Sequence, residues 1–276
     1  MLELFHISDL HFGKSKKMNA QSETLLREIN KKFDIKTMPN RYLLVTGDIT
    51  QSGGVEHYKI ALDALTPFKQ KIFFVPGNHD YGDIGFVYSE KRAKYFDDVF
   101  ADQLDKEQKY FKKKPFIKVL PENDKNQIIL IGLNSCFKRP VTKPLGGSLG
   151  LIGYHQMLEL DKFLDTPEAK KGPKIAFLHH IPHKPAKDYW MDLLDWDEFM
   201  GIVLDRVDIL AFGHEGSMEK PKGETKISTA RTMKVRSAPA KGIEYILDAN
   251  DSVTEQACYH IMIEDSSIAE VIKEKF

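Results

Sequence analysis

Several short apolar runs of strand length each end in polar residues that can do chemistry. The runs include "LELFHIS" (2–8), "RYLLVT" (41–46), "KIFFVP" (71–76), "KIAFL" (174–178) and "VDILAF" (207–212). The polar residues that follow them are Asp9, His11, Asp48, Asn78, His79, His179 and His214. Continuous apolar runs of this length are typical of strands buried on both faces. Because sites in open α/β sheets form at the carboxyl ends of strands, these side chains are predicted to meet at one edge.

This set consists of carboxylates, imidazoles and one amide, without cysteine. Mixed oxygen and nitrogen donors suit Mn²⁺, Fe or Zn²⁺ rather than a soft thiolate site. Asp9 and His11, two residues apart in a segment expected to be extended, are predicted to face the same side and one ion. Taken singly, each motif also fits an ordinary turn rich in Asp and Asn. Together they favour a two-ion centre in which one Asp is shared, the usual arrangement of two-metal hydrolysis.

Helical patterns separate the apolar runs. Apolar residues recur at helical spacing in segments 19–33, 54–68, 153–164 and 190–204. The alternation of strand, loop and helix is the βαβ pattern of a buried sheet. From about residue 224 the chain changes to strand-like segments joined by turns. The sequence shows no internal repeat or linker, so we expect one domain over residues 1–276.

Composition restricts the class of protein. The formal net charge is +0, which argues against a strong binder of nucleic acid or of anionic membranes. Cys136 and Cys258 are too few for a disulfide framework and are predicted to be buried free thiols in a reducing compartment. The first residues lack a basic leader pattern, and no apolar stretch reaches the roughly 18–20 residues of a membrane helix. We therefore expect a cytoplasmic location and no membrane partner.

The motifs D-x-H, G-D, G-N-H-D, H-H-x-P and G-H occur in the order and spacing found in calcineurin-like metallophosphoesterases. The chain resembles that family from residue 4 to residue 216, and "TGDITQSG" with "GVEHYKIALDAL" is most similar to its class III cyclic-nucleotide phosphodiesterase branch. The resemblance implies an α/β/β/α sandwich of mixed sheets flanked by helices, with the metal site at the C-terminal rim of the strands. It also implies hydrolysis of a small phosphoester, such as a phosphodiester of a nucleotide.

The resemblance further implies roles for single residues. The implied ligands are Asp9, His11 and Asp48 for the first ion, and Asp48, Asn78, His179 and His214 for the second. His179 is preferred to His180 because the family's ligand is the His nearest the strand end. A water or hydroxide bridging the ions would attack phosphorus, and His79 would donate a hydrogen bond or proton toward the leaving oxygen.

Two positions depart from the family's pattern. Gly216 stands where the last His of G-H-x-H would complete the first-ion site, so that ion is expected to bind more weakly. The residues considered as replacements are Glu215, His183, His180 and a different rotamer of His11. Gln51 stands where many relatives carry an Asp that orients the catalytic His. Both departures are expected to weaken the same chemistry.

Three functions in different classes fit these residues. The favoured one is a metal-dependent phosphoesterase acting on a small molecule and slowed by Gly216. The second is a protein of low or no activity that binds nucleotides or phosphoesters at a degenerate metal site. The third is a nuclease, against which the neutral charge speaks. The segments 85–96, 139–150 and 181–190 are expected to lie at the same rim, where loops would set specificity. In 85–96, Phe86, Tyr88 and Arg92 could stack on a ring or clamp a phosphate, but a simple capping helix is the preferred interpretation. Association between copies is left open.

Overall fold

The computed structural model describes residues 1–83, 87–110, 114–121, 127–137, 149–182, 193–214, 233–234 and 243–276. In chain order the strands are β1 (Leu2–Ile7), β2 (Arg41–Thr46), β3 (Ile72–Val75), β4 (Gly82–Asp83), β5 (Val87–Tyr88), β6 (Phe116–Leu120), β7 (Ile128–Gly132), β8 (Lys174–Phe177), β9 (Ile209–Phe212), β10 (Met233–Lys234), β11 (Tyr245–Asp248), β12 (Ala257–Glu264) and β13 (Ser267–Lys275). The helices are α1 (Lys16–Phe33), α2 (Val55–Leu65), α3 (Asn78–Tyr81), α4 (Glu90–Tyr95), α5 (Asp102–Leu104), α6 (Tyr154–Leu164), α7 (Trp196–Val203) and α8 (Ser252–Glu255).

Two mixed sheets form the centre of the molecule. The first has the order β13-β12-β1-β2-β3, in which β1, β2 and β3 run parallel. The second has the order β10-β11-β9-β8-β7-β6, in which β7, β8, β9 and β11 run parallel. Hairpin partners at the edges are antiparallel, as between β6 and β7. Two mixed sheets flanked by helices are the predicted architecture, which is confirmed.

The apolar residues of the sheets form two buried clusters. Ile128 and Leu130 of β7 belong to the cluster that also contains the first sheet and α1, whereas Ile129 and Ile131 belong to a cluster with α6 and α7. This division follows from the strand period of two, which sends successive side chains to opposite faces. Both faces of β7 are therefore buried, as its continuous apolar run predicts.

Helix α1 shows how local sequence sets an element's limits. Its first turn is capped by Ser15, whose hydroxyl accepts the Met18 N–H. Its buried side chains are Ser22, Leu25, Leu26, Ile29 and Phe33. Their spacing of three and four residues makes one apolar stripe, and each buried Leu or Ile contributes about 1.5–3 kcal/mol. The helix ends at Asp34, which adopts a left-handed conformation with φ 49°.

The predicted strands and helices are mostly confirmed, with one clear difference. The helix expected over 190–204 begins at Trp196, and residues 190–192 lie outside the described part of the chain. Leu193 instead forms a bridge with Gly150, and the Asp195 carboxylate accepts the backbone N–H groups of Ile152 and Gly153. These contacts hold residues 193–195 in a loop that ties α7 to the start of α6.

Two further expectations concern membranes and cysteines. Among the residues that the structure describes, no helix has both the length and the apolar character needed to span a bilayer. Cys136 and Cys258 are both buried and both free, as predicted. Burial raises the pKa of each thiol, so neither is poised to act as a thiolate at neutral pH.

Candidate metal centre

The predicted site residues lie where the carboxyl ends of strands from both sheets meet. Asp9, Asp48 and Asn78 follow β1, β2 and β3 of the first sheet, and His179 and His214 follow β8 and β9 of the second. All five are buried, as is His11, while His79 is half-buried. Residues far apart in sequence therefore converge at a seam between the two sheets, as the strand-end rule predicts.

Asp48 occupies the middle of this cluster. Its Oδ2 lies 3.8 Å from His11 Nε2 and 4.0 Å from His79 Nε2, while its Oδ1 lies 3.4 Å from His179 Nε2. Within the described residues, the side chains that are close enough to hold an ion form two groups: His11, Asp48 and His79, and Asp48, His179 and His214. The two oxygens of one carboxylate thus face two different groups of donors.

The second group is tightly organised around His179. Its Nδ1 lies 2.8 Å from the carbonyl oxygen of Thr46, which can only accept, so Nδ1 carries a hydrogen. Its Nε2 lies 3.0 Å from Asn78 Oδ1 and 2.9 Å from His214 Nδ1. An amide oxygen, two imidazoles and the Asp48 carboxylate therefore point at one small volume.

Electrostatics in this volume favour charged forms despite burial. Burial alone would raise the pKa of Asp48, but the neighbouring His179 and His79 rings hold it well below its usual value. Burial opposes a charged His179, yet the Asp48 carboxylate outweighs this and raises the His179 pKa to about 9. An ion binding between Asp48 and His179 would therefore displace a proton from His179.

Asp9 falls in neither of the two groups. Its Oδ1 lies 3.8 Å from His11 Nε2, and its Oδ2 accepts the backbone N–H of His214 at 3.1 Å. Asp9 therefore faces His11, as predicted, and also joins the loop after β1 to the loop after β9. Asp9 Oδ1 is directed toward His11 of the first group, and Asp9 Oδ2 accepts the main-chain N–H of His214, which follows a strand of the second sheet.

The backbone of the site departs from the expected extended form. Asp9, His11, Asp48 and His214 have φ values of 57°, 46°, 47° and 81°. The prediction that residues 9–11 continue the strand in an extended conformation is therefore wrong. Left-handed backbone at residues other than glycine costs of order 1–3 kcal/mol each and persists where surrounding contacts determine it. Here the backbone N–H groups of Asp9 and His11 donate to the carbonyl oxygens of Gly47 and Asp48.

Two glycines let the loops approach each other closely. A Cβ at Gly77 would lie inside contact distance of the Asp48 side chain and backbone, 2.8 Å from Asp48 Cγ. A Cβ at Gly47, whose φ is 89°, would lie 2.7 Å from His179 Cγ. The glycines of the G-D and G-N-H-D motifs thus make room for the residues predicted to bind ions.

Asp80 is a site residue whose function the sequence did not reveal. Its Oδ2 accepts the N–H groups of Ile49 and Gly77, and its Oδ1 accepts the N–H and hydroxyl of Thr50. Burial, with the charge of Asp48, raises the Asp80 pKa to about 6. This carboxylate joins the loop after β2 to the loop after β3. Its place as the last residue of "PGNHD" was the available signal.

His79 is held by the loop after β2. Its Nδ1 lies 2.7 Å from the carbonyl oxygen of Gln51, and its own backbone N–H donates to Asp48 Oδ1 at 2.9 Å. The His79 ring lies edge-on to the His11 ring, with centroids 4.9 Å apart. The Nε2 of His79 is therefore turned toward Asp48 and His11.

The residues considered as replacements for the missing His have different outcomes. His180 is buried with its Nδ1 2.7 Å from Ser135 Oγ, and it belongs to neither candidate group. Glu215, Gly216 and His183 lie outside the described residues, as do 139–148 and 183–190 of the rim segments.

In the rim segment 85–96, Phe86 lies outside the described residues. Tyr88 of β5 packs edge-on against Tyr81, with ring centroids 6.0 Å apart. The Arg92 N–H donates to the Ser89 hydroxyl oxygen, which caps the first turn of α4, so this segment forms the capping helix that was the preferred interpretation.

The donor set fits divalent metal ions. Buried carboxylate, amide and imidazole atoms of His11, Asp48, Asn78, His179 and His214 converge without a thiol among them. Such oxygen and nitrogen donors suit Mn²⁺, Fe or Zn²⁺. Burying this many polar groups at one point is costly unless they are paired or bind an ion.

Comparison with known proteins agrees with the fold and the motifs. The sequence profile of calcineurin-like phosphoesterases matches residues 2–218. A 3',5'-cyclic adenosine monophosphate phosphodiesterase, CpdA, from Haemophilus influenzae is 31% identical over 91 residues, which cover 29% of this chain and 31% of that protein. A probable cyclic nucleotide phosphodiesterase from Vesicomyosocius okutanii is 35% identical over 78 residues, covering 28% of this chain and 33% of that protein. The matches thus span about a third of each curated relative.

The crystal structure of a dimetal phosphatase from Danio rerio has a similar fold. It superposes with a TM-score of 0.58 at 12% identity, covering 100% of this chain and 99% of the other. At this identity the likeness concerns the fold, while the profile match covers most of the chain and all the site residues named above. The chain therefore belongs to the calcineurin-like phosphoesterase family.

Proposed function

We propose that this protein is a metal-dependent hydrolase of phosphoesters that acts as a phosphodiesterase on a small molecule such as a nucleotide. The observation that carries the proposal is the position of Asp48, whose two oxygens face two separate groups of imidazole donors 3.4–4.0 Å away. A carboxylate shared in this way is what a pair of ions requires.

The chain's residues divide between two ions. Asp9, His11 and Asp48 would hold the first, and Asp48, Asn78, His179 and His214 would hold the second. Bound ions would supply Lewis acidity toward phosphoryl oxygens and would lower the pKa of water. The protein holds its donors ready: the Thr46 carbonyl orients His179, and Asp80 holds the two loops that carry Asp48 and Asn78.

Support for a nucleotide diester comes from the curated relatives. Both are described as phosphodiesterases of cyclic nucleotides, and each matches about a third of its own length. A neutral chain fits a small substrate better than a long nucleic acid, which proteins hold with an excess of basic residues. We further propose that residues 1–276 act as a single cytoplasmic domain.

Gly216 supports a second candidate function, a nucleotide or phosphoester binder with little or no turnover. With one imidazole fewer, the first ion would be bound by fewer protein ligands. Gly216→His tests this: a rise in rate supports a weakened enzyme, whereas no rate from either form supports the binder.

The direct test is hydrolysis of bis(p-nitrophenyl) phosphate with and without added Mn²⁺. Wild type is expected to turn over only with Mn²⁺, and Asp48→Asn should lower the rate by about 100-fold or more, since lesser losses around a metal cost about 10–100-fold. Asp63→Asn, which changes an exposed carboxylate on α2, is the matched control and should leave the rate unchanged. Turnover by Asp48→Asn at the wild-type rate would contradict the proposal.

A further inference from the structure

We propose that His79 is itself a ligand of the first ion in this protein, supplying the imidazole that the sequence lacks at Gly216. The inference rests on the proposed function, because it assumes that ions bind at the two groups. It changes the role expected for His79, which was donation of a hydrogen bond or proton toward the leaving oxygen.

The grouping of side chains is the first observation. In the described part of the chain, His79 joins His11 and Asp48 in one of the two groups whose donor atoms all lie within 4.8 Å of one another. His79 Nε2 and His11 Nε2 lie 4.0 Å and 3.8 Å from the same oxygen, Asp48 Oδ2. Bonds of about 2.0–2.2 Å place neighbouring ligand atoms about 3–3.5 Å apart. The two distances to Asp48 Oδ2 are therefore within about 1 Å of those between ligands of one ion.

The hydrogen bond of the other ring nitrogen is the second observation. Nδ1 of His79 lies 2.7 Å from the Gln51 carbonyl oxygen, which only accepts, so Nδ1 carries a hydrogen. In the neutral ring, Nε2 then presents a lone pair toward the Asp48 carboxylate. An ion placed between this nitrogen and the carboxylate oxygen could therefore be bound by both. Imidazoles that bind metals commonly donate their other N–H to a backbone carbonyl in this way.

His179 shows the same arrangement in the second group. Its Nδ1 faces the Thr46 carbonyl at 2.8 Å, and its Nε2 faces Asp48 Oδ1 at 3.4 Å. His79 and His179 thus approach opposite oxygens of one carboxylate, each with Nε2 toward the carboxylate and Nδ1 held by a main-chain carbonyl oxygen.

The two roles of His79 exclude each other and can be separated. A ring whose Nε2 binds an ion has no proton there to donate. We would titrate the metal-free full chain with Co²⁺ and follow visible absorption, the metal content after gel filtration, and the hyperfine-shifted N–H proton signals of ligating imidazoles. The variants are His79→Ala and His79→Gln, with His57→Ala as the matched control. His57 lies nearby, bonded to Ser52, and belongs to neither group.

Wild type is expected to bind two Co²⁺ ions. In both His79 variants one ion should bind about 10–100-fold more weakly, the size of loss that even indirect changes around a metal produce. One shifted N–H signal should disappear, and millimolar imidazole should restore binding to His79→Ala. His57→Ala should match wild type in all three readouts. Because His79→Gln preserves most of the side-chain volume, it tests the proposal even if His79→Ala does not fold.

Two results would overturn these proposals separately. If both His79 variants bind two ions with wild-type affinity and keep every shifted signal, His79 is not a ligand, and the proposed function is unaffected. If wild type itself binds no Co²⁺, the proposed metal-dependent function fails, and the assignment of His79 fails with it.

Discussion

Gly77→Ala should weaken the binding of one metal ion through a single added methyl group. The new Cβ would lie more than 1 Å inside the ordinary contact distance of 3.4 Å from Asp48 Oδ1, and similarly close to the Asp48 backbone nitrogen. Gly77 has φ −103°, so alanine fits its backbone without strain and the effect is steric. Because the clash includes main chain, it cannot be relieved by turning the end of a flexible side chain.

The expected magnitude follows from this geometry. Overpacking at a buried site costs about 1–3 kcal/mol, so the domain should still fold with a melting temperature a few degrees lower. Displacing a catalytic group by about 1 Å costs up to about 100-fold in rate. Gly77→Ala should therefore lose about 100-fold in Mn²⁺-dependent hydrolysis and at least 10-fold in affinity for one ion.

The assay compares Mn²⁺ titration, hydrolysis of bis(p-nitrophenyl) phosphate and thermal unfolding in Gly77→Ala and Gly201→Ala. Gly201 lies in α7, and a Cβ there meets no heavy atom of the described residues within 4 Å. The control should keep its rate and gain up to about 1 kcal/mol of stability from better helix propensity. Wild-type metal affinity and rate in Gly77→Ala would refute the reasoning that Asp48 is the shared donor.

Two further predictions concern stability. Burial lowers the pKa of His6 to about 3, so between pH 6.5 and 3 the unfolded chain binds a proton that the folded chain does not, and stability falls as pH falls. In urea unfolding, the free energy of unfolding should fall between pH 7 and pH 5 by about 2 kcal/mol less in His6→Gln than in wild type. An equal fall in both proteins would contradict this prediction. Glu3→Ala should lower the free energy of unfolding by about 3 kcal/mol. The substitution removes the carboxylate that lies 2.6 Å from Arg41 and 2.8 Å from His260, so both side chains lose their partner. Calorimetry would check this, and a melting temperature equal to wild type would contradict it.

The strands with continuous apolar runs could be predicted from the sequence, and the edge strands β6 and β13 could not. β1, β2 and β8 are buried apolar runs, because each has a neighbouring strand on both sides and packing on both faces. β13 lies at the edge of the first sheet with every side chain exposed or half-buried, and β6 lies at the edge of the second with Lys118 at its centre. Edge strands need less apolar surface and often carry charges, so the sequence shows no continuous run there.

The site was predictable in its members and less so in its geometry. Strand-end placement brought together His11, Asp48, His179 and His214, since parallel strands end at a common edge. The left-handed backbone of Asp9 and His11 was not predictable, because neither residue type requires it and the contacts that determine it come from the loop after β2. The direction of the His79 ring likewise depends on the Gln51 carbonyl, which is a main-chain atom that no side-chain motif records.

The seam between the sheets has a consequence for how the protein holds together. Asp48 and Asn78 stand on the first sheet, and His179 and His214 stand on the second. An ion bound by these residues would therefore link the two sheets, and its binding free energy would stabilise their contact at the strand ends. At a concentration 100 times its dissociation constant, such an ion adds about 2.7 kcal/mol of stability. The rim where substrate must enter would then resist opening more strongly in the metal-loaded molecule than in the metal-free one.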